Sequence, residues 1–135
     1  MALTQIIGEG LQSTLAIGSE GGAVTTSVQQ GLAKAWHQFN GTGTVATLDS
    51  FNISSLTDNA AGNYSSSYTN SMGNQYYSTS GSCVGSSSSN FWSFITSNGS
   101  TEDIGTASVR FQIIHYEGTS NDQIRANVNI HGDLA

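Results

Sequence analysis

The chain has 135 residues, of which 36% are hydrophobic and only 9% are charged, and its formal net charge at pH 7 is −6. This length suffices for one ordinary domain with a hydrophobic core. Three basic side chains against nine acidic ones argue against nucleic acid or an anionic membrane surface as a partner, because both require clustered Lys and Arg. The absence of proline among 16 glycines predicts turns built from Gly, Asn, Asp and Ser.

Residues 1–30 form a weakly patterned leader in which aliphatic side chains recur between glycines. These side chains are Ile6, Ile7, Leu11, Leu15 and Ile17. The glycines argue against a stable helix up to Gly22, whereas a short helix over 25–34 could begin at Thr25 or Thr26. A free leader would expose its aliphatic side chains, so it packs on its own domain or docks on a partner. We predict the second, an attachment arm over 1–30 followed by a domain over 31–135.

The leader has neither the basic start nor the continuous apolar run of a signal peptide, and no segment is long enough for a transmembrane helix. We therefore expect synthesis in a cytoplasm and no membrane insertion. Cys83 is the single cysteine of the chain, which excludes an intrachain disulfide.

From Ala35 onward the apolar residues recur with a period of two, which is typical of β-strands. "SFNISSL" and "YSSSYTN" predict a hairpin with Tyr64 and Tyr68 on one face, and "FWSFITS" predicts a further strand. The apolar parity slips between Leu48 and Phe51, which predicts a bulge or a bend.

Two segments near the end of the chain alternate most clearly. "SVRFQII" places Val109, Phe111 and Ile113 on one face. "QIRANVNIHG" does the same for Ile124, Ala126, Val128 and Ile130. The link "GTSND" predicts that these strands form a hairpin. Together the strands predict an all-β fold, an antiparallel sandwich or jelly-roll-like domain.

Candidate chemical sites are weak. Gly81–Gly85 around Cys83 has the outline of a nucleophile elbow, but its Ser-rich surroundings lack the helix that such a turn requires. His115, His131 and Asp133 could approach one another if the last two strands pair, although two His on neighbouring strands arise easily by chance. We expect no metal, no cofactor and no catalytic residue.

Aromatic side chains in polar surroundings are better candidates for recognition. Those in or beside Ser- and Asn-rich segments are Tyr64, Tyr68, Tyr76, Tyr77, Phe91 and Trp92, and all but Phe91 are our candidates for recognition. Tyr among Ser, Gly and Asn makes adaptable contacts at low entropic cost, and aromatic rings beside amides also suit a sugar. The alternative, which we favour for Tyr64, Tyr68, Phe91 and Trp92, is that they fill the core.

The segment "KAWHQFNGTGTVATLDSFNISSLTDNAAGNY" (34–64) and, more loosely, the terminal "NVNIHGDL" resemble a module of tailed-phage virion proteins from marine and freshwater phages. That module often ends tail-fibre or other surface proteins. The resemblance implies a β-rich, homo-oligomeric virion protein without enzymatic activity. Its Ser- and Tyr-rich residues 64–100 depart from the pattern.

Two functions follow as expectations. The first is a short fibre or knob that the leader anchors to the tail or capsid and that contacts the host surface, including its glycans. The second is a decoration or cement protein that stabilises the capsid. Because sparse charge leaves the edge strands open to pairing, we expect a trimer in either case, assembled into the virion in the host cytoplasm.

Overall fold

The protein is described here from a computed structural model, which covers residues 16–18, 25–27, 31–85, 92–95, 103–115 and 117–135. The chain divides into two compact units, Met1–Leu32 and Ala33–Ala135. In the first unit, strand β1 (Ala16–Gly18) pairs antiparallel with strand β2 (Thr25–Ser27). The helix expected over 25–34 is therefore wrong at its start, because Thr25 and Thr26 lie in a strand and do not cap a helix.

Of the leader residues assigned to an attachment arm, Ile17 lies in β1. The remaining four, Ile6, Ile7, Leu11 and Leu15, lie outside the described residues. Their role in attachment stays a prediction.

The described part of the second unit is built from strands β3 to β10. Their bounds are β3 Ala35–Asn40, β4 Ala46–Phe51, β5 Ile53–Ala60, β6 Asn63–Tyr68, β7 Ser78–Val84, β8 Trp92–Ile95, β9 Ser108–His115 and β10 Arg125–His131. They form two four-stranded antiparallel sheets. The first sheet has the order β4-β3-β10-β7 and the second has the order β5-β6-β9-β8. The all-β prediction is confirmed. Among the described residues, no helix has the length and apolar character needed to cross a membrane.

The inward faces of the two sheets share one aromatic core. Phe39 of the first sheet contacts Tyr64 and Phe111 of the second, with ring centroids 4.9 and 5.6 Å apart. Both geometries are tilted or edge-on, which aromatic pairs prefer. The predicted inward residues Val109, Phe111 and Ile113 on β9 are buried, as are Ala126, Val128 and Ile130 on β10. The sheets thus pack face to face as a β-sandwich.

The predicted hairpin of the last two strands is wrong, because β9 belongs to the second sheet and β10 to the first. The chain does reverse at Gly118, whose φ of +83° suits glycine. It pairs back briefly through the bridge between Ile114 and Ser120. It then crosses to the first sheet, where the carbonyl of Gln123 accepts a hydrogen bond from the Gly41 amide at 2.9 Å. Ile124 on this crossing is 45% exposed, so its predicted place in the core is also wrong.

Three other local predictions are confirmed. Strands β5 and β6 form a hairpin, and the strand predicted from "FWSFITS" is β8. The bulge lies in β4, where Gln38 and Phe39 of β3 pair with Asp49 and Thr47, so that Leu48 is the extra residue. A bulge of this kind turns the following residues of the strand to the opposite face.

The chain passes from the first sheet to the second at Asn52, which has a φ of +58°. Asn tolerates this left-handed conformation better than other residues with a side chain. Its side-chain amide donates hydrogen bonds to the carbonyls of Lys34 and Asn70 at 3.1 and 3.0 Å. These bonds hold the corner between β4 and β5.

Three chain connections meet at the hydroxyl of Tyr64, at one end of the sandwich. The hydroxyl donates to Oδ1 of Asp122 at 2.6 Å and lies 3.2 Å from the carbonyl of Gly41. The same carboxylate oxygen accepts the backbone N–H of Gly62 at 2.7 Å. Burial, and then the hydrogen bond to Asp122, raise the pKa of Tyr64, so the phenol remains a donor at neutral pH. This cluster links the β3–β4, β5–β6 and β9–β10 connections.

The substitution Tyr64→Phe should remove this link while leaving the aromatic ring in place. We expect the free energy of unfolding to fall by about 1.5–3 kcal/mol, because the Asp122 carboxylate loses a charge-assisted donor. Urea unfolding measures this difference. Tyr76→Phe is the matched control, because Tyr76 is 86% exposed, and should change stability by less than about 0.5 kcal/mol. Equal effects of the two variants would contradict the role given to the cluster.

Candidate functional site

The outward face of the first sheet carries an unusual set of polar side chains. Its central strands are β3 and β10, and alternate residues of each face the core. The intervening residues face outward: Trp36, Gln38 and Asn40 on β3, and Arg125, Asn127, Asn129 and His131 on β10. In the register of the sheet, Gln38 lies opposite Asn127, and Trp36 lies opposite Asn129. Amide side chains therefore line the middle of this face.

One row of these side chains is joined by hydrogen bonds across three strands. The Gln38 amide donates from Nε2 to Oδ1 of Asn127 at 2.7 Å. The Asn127 amide in turn donates from Nδ2 to the hydroxyl of Ser82 on β7 at 3.2 Å. These two bonds orient the amides, because Gln38 donates through Nε2 and Asn127 both accepts through Oδ1 and donates through Nδ2.

A groove of about 370 Å³ runs over this row. It is lined by Trp36, His37, Gln38, Asp49, Ser82, Asn127, Val128 and Asn129. Small-molecule sites have volumes of about 300–1,000 Å³, so the groove can accommodate a small ligand or one part of a longer one. It is the candidate functional site.

Two aromatic side chains, Trp36 and Phe51, lie at one side of the groove. Trp36 is half-buried, and its register partner on β4 is Phe51, which is 51% exposed. Directly paired residues of an antiparallel sheet point to the same side, so Phe51 extends the aromatic surface that Trp36 begins. The bulge at Leu48 is the reason that Phe51 and Asp49 both face outward on β4.

Charged groups are sparse in the groove. Asp49 is the one carboxylate in the lining, and its Oδ1 accepts the backbone N–H of Ser50 at 2.8 Å. Arg125 and His131 lie on the same face of β10, each beyond the groove by one row. The lining itself holds no Lys or Arg.

His37 lies beneath the groove and is a structural residue. Its Nδ1 lies 2.8 Å from the hydroxyl of Ser66 and its Nε2 lies 2.9 Å from that of Thr47. Burial lowers the pKa of His37 to about 4, so the ring is neutral at physiological pH. With both nitrogens occupied by hydroxyls, His37 has no free atom with which to take a proton from a ligand.

The aromatic residues predicted for recognition are mostly elsewhere. Tyr64, Tyr68 and Tyr77 are buried in the core, and β6, which carries the first two, is a central strand. The core alternative favoured for Tyr64 and Tyr68 is therefore confirmed, and the recognition role predicted for these three residues is wrong. Tyr76 is 86% exposed but does not line the groove. Trp92 lies in β8, and its side chain is outside the described part.

The weaker candidate sites are not assembled. His115 and His131 lie on strands of different sheets, and the described residues include no group of His, Cys, Asp and Glu that could hold a metal ion. Cys83 lies within strand β7 and not at a strand-to-helix turn. Burial raises the pKa of its thiol, which disfavours the nucleophilic thiolate.

The comparisons with known proteins give no further identification. No protein-family model, curated protein or solved structure matches this chain. The functional interpretation therefore depends on the geometry of the site and on the motifs of the sequence.

The stability of the domain should fall in mild acid through His37. Because the folded-state pKa is about 4 against 6.5 in the unfolded chain, the neutral ring contributes stability that is complete above pH 6.5. That contribution is lost as the pH falls towards 4, by on the order of 3 kcal/mol. Urea unfolding at pH 7 and pH 4.5 should show a smaller loss in His37→Gln, which cannot titrate. An equal loss in both proteins would contradict this account.

Proposed function

We propose that this chain is a non-enzymatic structural module on the surface of a bacteriophage particle, with its sandwich domain turned outward to contact the host surface. The observation that carries the proposal is the polar groove on the outward face of β3 and β10. The segment that supplies Trp36, Gln38 and Asp49 to this groove is the same 34–64 segment that resembles phage virion modules. We infer that the groove binds a component of the host surface.

The chemistry of the groove favours binding over catalysis. A glycosidase of the usual type requires two carboxyl groups about 5–9.5 Å apart, whereas the groove lining contributes Asp49 alone. His37 is neutral, with both ring nitrogens engaged. Neither residue has the partner that acid–base catalysis needs.

A capsid decoration protein is the second candidate, and edge strand β4 favours it. This strand is mostly exposed and presents Leu48 and Phe51, each 51% exposed. Apolar side chains on an open edge suit contact with neighbouring subunits. In that case the leader and β4 would both bind other virion proteins.

Labelling of intact particles tests the location. An antibody raised against residues 33–135 should bind purified particles in immunogold electron microscopy. Gold at the tail or at projecting fibres supports the fibre function, and gold spread over the head supports decoration. If the chain is abundant in the lysate but missing from purified particles by both labelling and mass spectrometry, the virion proposal is wrong.

The trimer is part of the same proposal, because pairing around a threefold axis would cover edges that few charges protect. Native mass spectrometry of the purified chain should give three times the chain mass of 14.1 kDa. Leu48→Glu should shift the distribution towards monomer, since it places a charge on the exposed edge, whereas Tyr76→Glu should not. A wild-type monomer at micromolar concentration would contradict the trimer.

A further inference from the structure

We propose that the groove over β3 and β10 is a binding site for a neutral saccharide, with the Trp36 ring as its stacking surface. The inference rests on the proposed recognition function and names its ligand class. It follows from a comparison of two sets of polar atoms in the groove. Some form hydrogen bonds within the protein, and others have no protein partner.

Several polar atoms of the groove have no protein partner among the described residues. In the row of amides, hydrogen bonds within the protein engage Nε2 of Gln38 and both Oδ1 and Nδ2 of Asn127. Oε1 of Gln38, Oδ2 of Asp49 and the side-chain amide of Asn129 remain for a ligand. These atoms include both donors and acceptors, which is what vicinal hydroxyl groups require, because each hydroxyl donates one hydrogen bond and accepts others.

The Trp36 ring supplies the complementary apolar contact. One face of a pyranose ring carries C–H groups with a partial positive charge, and the face of an indole carries the negative part of its quadrupole. Trp36 lies opposite Asn129 in the register of the sheet, so a sugar stacked on the ring can direct its hydroxyls towards the amides. Exposed Phe51 beside Trp36 offers a second surface for a neighbouring residue of the same glycan.

Other ligand classes fit less well. A phosphate, a sulfate or a nucleic acid would need cations, and the groove lining has Asp49 and no Lys or Arg. A lipid would need a mostly apolar lining. A peptide strand would need unpaired backbone groups, but β3 and β10 are central strands whose backbones already pair with strands on both sides. Side chains are thus the only means of recognition that this face offers.

Isothermal titration calorimetry of the purified full-length chain tests the site. The probes are short neutral oligosaccharides of glucose, galactose, mannose, rhamnose and N-acetylglucosamine, and oligogalacturonate is the acidic comparison. At least one neutral probe should bind, with little or no binding of oligogalacturonate. Trp36→Ala should lower the affinity about tenfold or more, because Trp is enriched among the residues whose truncation costs most of the binding energy.

Two further variants make the test independent of folding. Asn129 is exposed, so Asn129→Ala should retain the far-ultraviolet circular dichroism of the wild type and still lose affinity several-fold. Tyr76→Ala, which removes an exposed aromatic ring outside the groove, should bind as the wild type does. The inference is overturned if no neutral probe binds, if oligogalacturonate binds best, or if both groove variants bind as tightly as the wild type. Because particles are not used, these outcomes are separate from the test of virion location.

Discussion

The hydrogen bond from the hydroxyl of Tyr64 to Asp122, 2.6 Å long, links chain segments that are far apart in sequence. Tyr64 is completely buried, so an unpaired hydroxyl there would cost about 1–3 kcal/mol. Asp122 satisfies it and also accepts the N–H of Gly62. Gly41 is needed on the other side, because a Cβ at that position would collide with the Tyr64 hydroxyl.

The path of the last strand depends on this cluster. After Gly118 the chain begins to pair back along β9 through the bridge between Ile114 and Ser120, but β6 and β8 already pair with β9 on its two sides. Asp122 is held against Tyr64, and the carbonyl of Gln123 accepts a hydrogen bond from the N–H of Gly41, just after the end of β3 in the first sheet. Strand β10 therefore enters the first sheet between β3 and β7. That placement brings Asn127 opposite Gln38 and Asn129 opposite Trp36, which forms the groove.

Local patterns of the sequence predict much of this fold. The alternation in 107–115 and 125–131 identifies the strands and their buried faces, and the parity slip locates the bulge at Leu48. The alternation does not predict which strands pair, because the same pattern is compatible with β10 in either sheet. The link "GTSND" carries a true turn at Gly118, but the side-chain contact that redirects the chain joins Asp122 to Tyr64, 58 residues apart.

The sequence does not predict the groove, because it does not predict that β3 and β10 are partners. Asn127 and Asn129 are visible as the polar face of a strand, and Trp36 as an aromatic residue near the start of the domain. Their meeting depends on a pairing across about 90 residues. Tyr beside Ser is typical of a binding loop, whereas Tyr64 and Tyr68 lie on the inward face of the central strand β6 and fill the core.

The central claim is that the outward face of β3 and β10 is a recognition surface, and nuclear magnetic resonance tests it most directly. The indole N–H of Trp36 and the side-chain amides of Gln38, Asn127 and Asn129 give separate signals in a ¹⁵N-labelled sample titrated with a neutral oligosaccharide. The account predicts that these signals shift together and saturate, while the signals of Tyr76 and of β5 stay in place. Shifts centred on Tyr76, or no saturable shift at any residue, would contradict it.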